Sequence, residues 1–178
     1  MRHVPNSFWR YSLNLYGDPA VATICLSLQD RCGANVNILL YCCWMGQTCR
    51  ALDKRALRTA MAAVRRCQAE IVRPLRQARR ALKRPPAGVP VAISLDLRRR
   101  IGAIELDLEY LEQRLLVDVA QRLPRPARAR TPRAAVGASL FRYLALLAVP
   151  ADHPGLLDAA ALIDASCLPP SPRSVRPN

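Results

Sequence analysis

Two long stretches, Ala51 to Arg84 and Ser94 to Leu123, set the strongest limit on the fold, because both carry apolar residues at near-heptad spacing. In the first they are Leu57, Met61, Val64, Ile71, Leu75, Ala78 and Leu82, interrupted only by Gln68. In the second they are Leu97, Ile101, Ile104, Leu108, Leu111, Leu115 and Val119. That period belongs to an amphipathic helix and not to a strand. The segment Pro85-Pro86-Ala87-Gly88-Val89-Pro90 between them reverses the chain, so the pair reads as a long antiparallel helical hairpin. Pro74 is expected to kink the first arm, since it lacks an N–H and crowds the preceding turn.

The first arm also holds the greater part of the chain's net charge of +14. At 100° per residue, Arg55, Arg58, Arg66, Arg73, Arg76, Arg80 and Arg84 fall within an arc of about 80°. Arginine forks suit phosphate and carboxylate, so this face is a candidate contact surface for RNA or for an acidic protein. No aromatic residues interleave with it, which leaves no platform for base stacking. The second arm is nearly balanced, and Glu105, Glu109 and Glu112 share one of its faces. These acids are expected to neutralise part of the arginine arm inside the hairpin.

Ahead of the hairpin, turn and cap residues mark three short helices. Asn6-Ser7 precede Phe8 to Tyr16; Asp18-Pro19 open a helix that Gly33 ends; Asn35 caps Val36 to Met45. After the hairpin, Pro124 to Pro132 reads as a Pro/Arg linker. Arg133 to Val149 and Pro154 to Ala165 read as a small helical appendage, and the chain from Pro169 on as a disordered tail. The expected organisation is a core domain over 1–123, a linker over 124–132, an appendage over 133–167 and a tail over 168–178.

The N-terminal block has a specific texture. It contains Phe8-Trp9-Arg10-Tyr11-Ser12-Leu13, Tyr16, Leu26 to Gly33, Val36-Asn37-Ile38-Leu39-Leu40, and Trp44 followed by Gly46. The hairpin adds Val72-Arg73-Pro74-Leu75-Arg76, Arg79-Arg80, Leu82-Lys83, Ile104-Glu105-Leu106 and Leu111-Glu112-Gln113. Over about residues 6–123 this resembles a family of small proteobacterial proteins, domain of unknown function 2390. The resemblance implies a cytoplasmic, all-α bacterial protein, and it transfers no catalytic residue.

Function classes narrow by what chemistry would need. The seven cysteines are odd in number, form no Cys-x-x-Cys and sit in apolar helical runs, so they read as small buried hydrophobes. The three glutamates lack the Glu-x-x-His partners of carboxylate metal sites, since the histidines are His3 and His153. No nucleophile motif or Gly-rich phosphate loop is present. No cofactor, metal or catalytic residue is assigned. No secretory signal or membrane span is read, so the expected compartment is the cytoplasm.

The expected architecture is all-α, with three short helices packed on the hairpin. The first functional reading is a noncatalytic adaptor that meets a protein partner through Arg66, Arg73, Arg76 and Arg80. The polar corner of Asp30, Arg31 and Asn35 would complete that surface. The second is an RNA- or ribosome-associated protein using the same arginines with Arg125, Arg128 and Arg130. The third is a small-ligand binder or enzyme with a pocket around Trp9, Asp30 and Trp44. Homodimerisation of the hairpin stays open.

Overall fold

A computed structural model describes residues 6–84, 87–124 and 128–168. It is all-α, and the described residues contain no strand beyond one isolated antiparallel bridge between Arg50 and Arg128. The elements are α1 (Ser7–Tyr16), α2 (Pro19–Cys32), α3 (Val36–Gly46), α4 (Lys54–Cys67), a π-helical turn (Gln68–Val72), α5 (Arg73–Ala81), α6 (Val91–Arg122), α7 (Pro132–Leu146) and α8 (Gly155–Cys167). None of the described helices is long and apolar enough to cross a membrane. The expected tail over 169–178 lies outside the described residues.

Capping chemistry places most helix starts. Asp18 accepts from the Ala20 N–H at 2.8 Å with Pro19 next to it, and Gly33 closes α2 at φ 66°. Asn35 accepts from the Ile38 N–H at 3.2 Å to start α3. Thr131 accepts from the Ala134 N–H at 3.1 Å to start α7, ahead of Pro132. The first hairpin arm begins at Lys54 and not at Ala51, because Asp53 accepts from the Ala56 N–H at 2.7 Å. The second begins at Val91, ahead of the expected Ser94. Ser94 serves instead as a clasp, its hydroxyl donating to the Leu82 carbonyl at 2.7 Å.

Contacts divide the chain into two compact units, with the division inside α4 between Leu57 and Arg58. One unit joins residues 7–57 to the described residues of the C-terminal part, 124 and 128–168. In this unit α7 packs on α3, and α8 packs on α2 and α7. The reason lies in α3, whose residues Asn37 to Cys43 are buried in succession. A helix apolar on all sides needs cover on all sides, and α1 and α2 alone cannot supply it. Small residues let α7 approach closely. A Cβ built on Gly46 would lie 2.9 Å from the Val136 backbone nitrogen. Ser139 Oγ accepts from the Leu52 N–H at 2.9 Å and donates to the Ala135 carbonyl at 2.8 Å. Tyr143 OH accepts from the Asn35 N–H at 2.8 Å.

The other unit holds the hairpin, with the part of α4 after Leu57, the π turn, α5 and α6. Its first arm is not one continuous α-helix. In the π turn the Arg73 N–H donates to the Gln68 carbonyl, five residues back. Pro74 follows directly, so the expected disturbance at this proline takes the form of a wider turn just before it.

Candidate functional site

The surface of the hairpin is decided by how its two arms meet. Glu105, Glu109 and Glu112 recur at four- and three-residue intervals, so they share a face of α6. That face turns toward the first arm. Arg79 Nε donates to Glu105 Oε1 at 2.9 Å, and Arg76 Nη2 donates to Glu109 Oε1 at 3.3 Å. Gln68 Nε2 donates to both oxygens of Glu112, at 2.7 and 2.8 Å. Glu105 and Glu112 are buried. Carboxylates and their donors thus join the arms, while Val64, Val72, Tyr110 and Leu116 are also buried in this unit, and Gln68, the one interruption of the apolar stripe, stands opposite a buried glutamate.

The apolar stripe of α6 lies on another side: Leu97, Ile104 and Leu111 are exposed by 37%, 47% and 45%. Ile101, Leu108 and Leu115 are half-buried between them and the seam. Around α6 the stripe lies about 80° from the glutamate face. On the first arm, Ile71, Leu75, Ala78 and Leu82 lie about 90° from Arg79 and Arg76 in the same rotational sense. In antiparallel helices two such offsets point to the same side. One broad face of the hairpin is thus apolar and open, a rare feature in proteins that work alone.

The same geometry breaks up the expected arginine face. An inserted residue in the π turn rotates everything after it by about 100° relative to an unbroken α-helix. Arg66, before the turn, is exposed and pairs with Glu70 at 3.0 Å, a surface pair worth little. Arg73 and Arg80, after it, are exposed, while Arg76 is turned into the seam. The four residues do not form one continuous patch. Of the linker arginines, Arg128 forms the backbone bridge to Arg50, and Arg125 lies outside the described residues.

Burial pushes the Glu109 carboxyl above its ordinary value of 4.5, and Arg76 pulls it back only in part, with Glu105 and Glu112 adding to the upward shift. A raised folded-state value means that the ionised form is the one folding disfavours. The group's stabilising contribution is present at acid pH and is lost as pH rises through the folded value. Glu109→Gln keeps an acceptor for Arg76. Its stability relative to the parent chain is therefore expected to improve steadily as pH is raised from 4 toward 7, measured by urea midpoints across that range.

In the other unit the corner residues serve architecture. Asn35 caps α3, and Arg31 Nη1 lies 3.7 Å from Asp158 Oδ2, which also accepts from Ser27 Oγ at 2.7 Å. Asp30 is exposed, whereas Trp9 is buried. Phe8 stacks on Trp44 at 5.1 Å and meets Tyr41 edge-on at 5.8 Å, so these rings pack on one another. Of the seven cysteines read as small buried hydrophobes, Cys25, Cys42 and Cys43 are buried while Cys32, Cys49, Cys67 and Cys167 are half-buried, and burial pushes the Cys25 thiol up to about 12.

Two features escaped the sequence. Cys32 Sγ lies 3.6 Å from His153 Nδ1, which also accepts from the Gly155 N–H at 3.0 Å. The pair is 121 residues apart in the chain, so no local motif could mark it. Burial raises the Cys32 thiol, against a partial pull from Arg31 and with a further push from Asp158, which keeps it protonated and a poor nucleophile. It acts as a close contact between the end of α2 and the start of α8. The second feature is an open cleft of about 460 Å³ lined by Ala51, Asp53, Lys54, Arg55 and Arg142. Asp53 is engaged in capping, and Arg142 donates to the Leu52 carbonyl at 3.2 Å. No group of three metal-ligating side chains occurs among the described residues.

A family model described as "Protein of unknown function (DUF2390)" matches residues 7–116. The match runs from α1 into α6 and stops short of α7 and α8. No curated protein and no solved structure matches the chain.

Proposed function

Because this chain belongs to the DUF2390 family, whose description assigns no activity, we propose a role from the hairpin itself: a noncatalytic interaction module that docks a protein partner on its open apolar face. The observation that supports this most directly is the exposure of Leu97, Ile104 and Leu111 at heptad spacing along α6. Exposed aliphatic rows of this length are stabilised by burial against another surface. The exposed arginines around the hairpin, Arg73 and Arg84 among them, would supply a charged rim that guides and orients the partner. The cytoplasm remains the compartment that suits a basic chain with free cysteines.

The test compares three forms of the full chain purified with nuclease treatment: the parent, Ile104→Lys with Leu111→Lys, and Arg73→Ala with Arg80→Ala. A stoichiometric protein partner held by the parent and the arginine variant, and lost by the stripe variant, is the expected result. Partner retention in the stripe variant, together with generic RNA binding by the parent that falls with salt and disappears in the arginine variant, would replace the protein reading with the RNA one.

A further inference from the structure

We propose that the occupant of the apolar face is a second copy of this chain, with two hairpins closing face to face into a four-helix bundle. The inference rests on the reading of the hairpin as an interaction module and names its partner. Its first support is the period. Leu97, Ile101, Ile104, Leu108, Leu111 and Leu115 keep a strict four-three alternation along α6. An isolated α-helix drifts about 20° per heptad from such a repeat, so the pattern stays in contact only where helices wrap around one another. Within one hairpin Leu97, Ile104 and Leu111 stay exposed, and Ile101, Leu108 and Leu115 are only half-buried.

Size is the second support. Two helices about 10 Å wide, with stripes about 20–27 Å long, present on the order of 500 Å² of planar face. With side-chain relief this approaches the roughly 800 Å² that each partner contributes to a stable interface.

The third support is the charge pattern beside the stripe. Arg100, Asp107 and Arg114 follow one another at seven-residue spacing on the flank of α6 away from the seam. A two-fold partner running antiparallel, with its axis between Ile101 and Ile104, sets Leu97 against Leu108 and Ile101 against Ile104 of the second copy. The same register places Arg100 opposite Asp107 of the second copy, so the surface complements itself as a closed dimer requires. The stripe itself carries no charge, and the remaining cost is the general repulsion between two chains of +14. Salt screens that repulsion, so pairing should strengthen with ionic strength, opposite to any RNA contact.

Sedimentation velocity of the full chain between about 1 and 100 µM, at low and high salt, tests this. The expected outcome is a mass that doubles with concentration, more readily at high salt, and a single-chain mass throughout for Ile104→Lys. Leu157→Lys, at a site exposed by 76% in the other unit, should dimerise like the parent. Far-UV circular dichroism confirms that each variant is folded; should Ile104→Lys lose helicity, Leu97→Gln takes its place. A parent chain that stays single at every concentration, or a folded stripe variant that still dimerises, would overturn the inference. A single-chain parent whose different protein partner is lost on stripe substitution would remove the second copy while leaving the interaction module standing. A single-chain parent whose partner survives that substitution would remove both.

Discussion

Replacing Arg79 by Met is expected to destabilise the protein by about 3 kcal/mol, because it strands the buried Glu105 carboxylate. Arg79 Nε is 2.9 Å from that carboxylate, and the Glu105 side chain is only 9% exposed. Arg79 itself is 37% exposed, so the cost is placed at the low end of the range for breaking a buried pair. The diagnostic result is the double variant. Arg79→Met with Glu105→Met removes both charges and leaves two flexible apolar side chains of similar reach, and its stability should return close to that of the parent. Urea unfolding of the four members of the cycle measures the coupling directly. If Arg79→Met alone were neutral, the seam would be a wet surface pair and not a buried one.

Gly46→Ala is expected to be as costly, by a different route. Its new methyl would meet the Val136 backbone nitrogen at 2.9 Å, where no side-chain rotation can make room. Either α3 and α7 separate or α3 shifts along its axis, and both disturb the most buried helix of that unit. Overpacking of this kind costs typically 1–3 kcal/mol, and a backbone obstacle places it at about 3. Thermal unfolding should fall by roughly 10 °C. Val136→Ala in the same chain removes the side-chain part of the obstruction and not the backbone part, so it should recover only a fraction of the loss. Full recovery would mean that the helices meet through side chains alone.

These two sites show where local reasoning reaches and where it stops. The caps at Asp18 and Asn35, the proline after the first and the glycine after α2 are readable because each acts on donors within three residues, whereas Thr131 and Pro132, read as linker, open α7. The compensation of arginine by the glutamates of α6 was also foreseeable, since like-spaced acids on one helix must face something. Which arginines took part was not. The π turn before Pro74 rotates α5, and it sends Arg76 and Arg79 inward while Arg73 stays exposed. No window of sequence states how wide a turn will be; the neighbouring arm selects it by offering Glu105, Glu109 and Glu112 as acceptors.

The heptad stripe of α6 makes the same point in reverse. Its period announced a helix with an apolar side, and that helix is present. Which side of that helix stays open is not written in the period: Leu97, Ile104 and Leu111 are exposed, while Glu105 and Glu112 are buried. The helices after Pro132 looked separable because the linker before them is rich in Pro and Arg. They nevertheless belong with α2 and α3, since a helix as apolar as α3 recruits any helix the chain can deliver.

By itself, then, the sequence determined what is local: all-helical secondary structure, helix ends, the strongly basic balance and the existence of two amphipathic arms. Those follow from propensities and hydrogen bonds spanning a few residues. Only the tertiary structure decided which faces met: the polar seam of the hairpin, the open apolar stripe, the contact between Cys32 and His153, and the union of the first helices with the last. Each of those is a competition among surfaces far apart in the chain, won by the pairing that leaves the fewest buried charges without donors and the least backbone in collision.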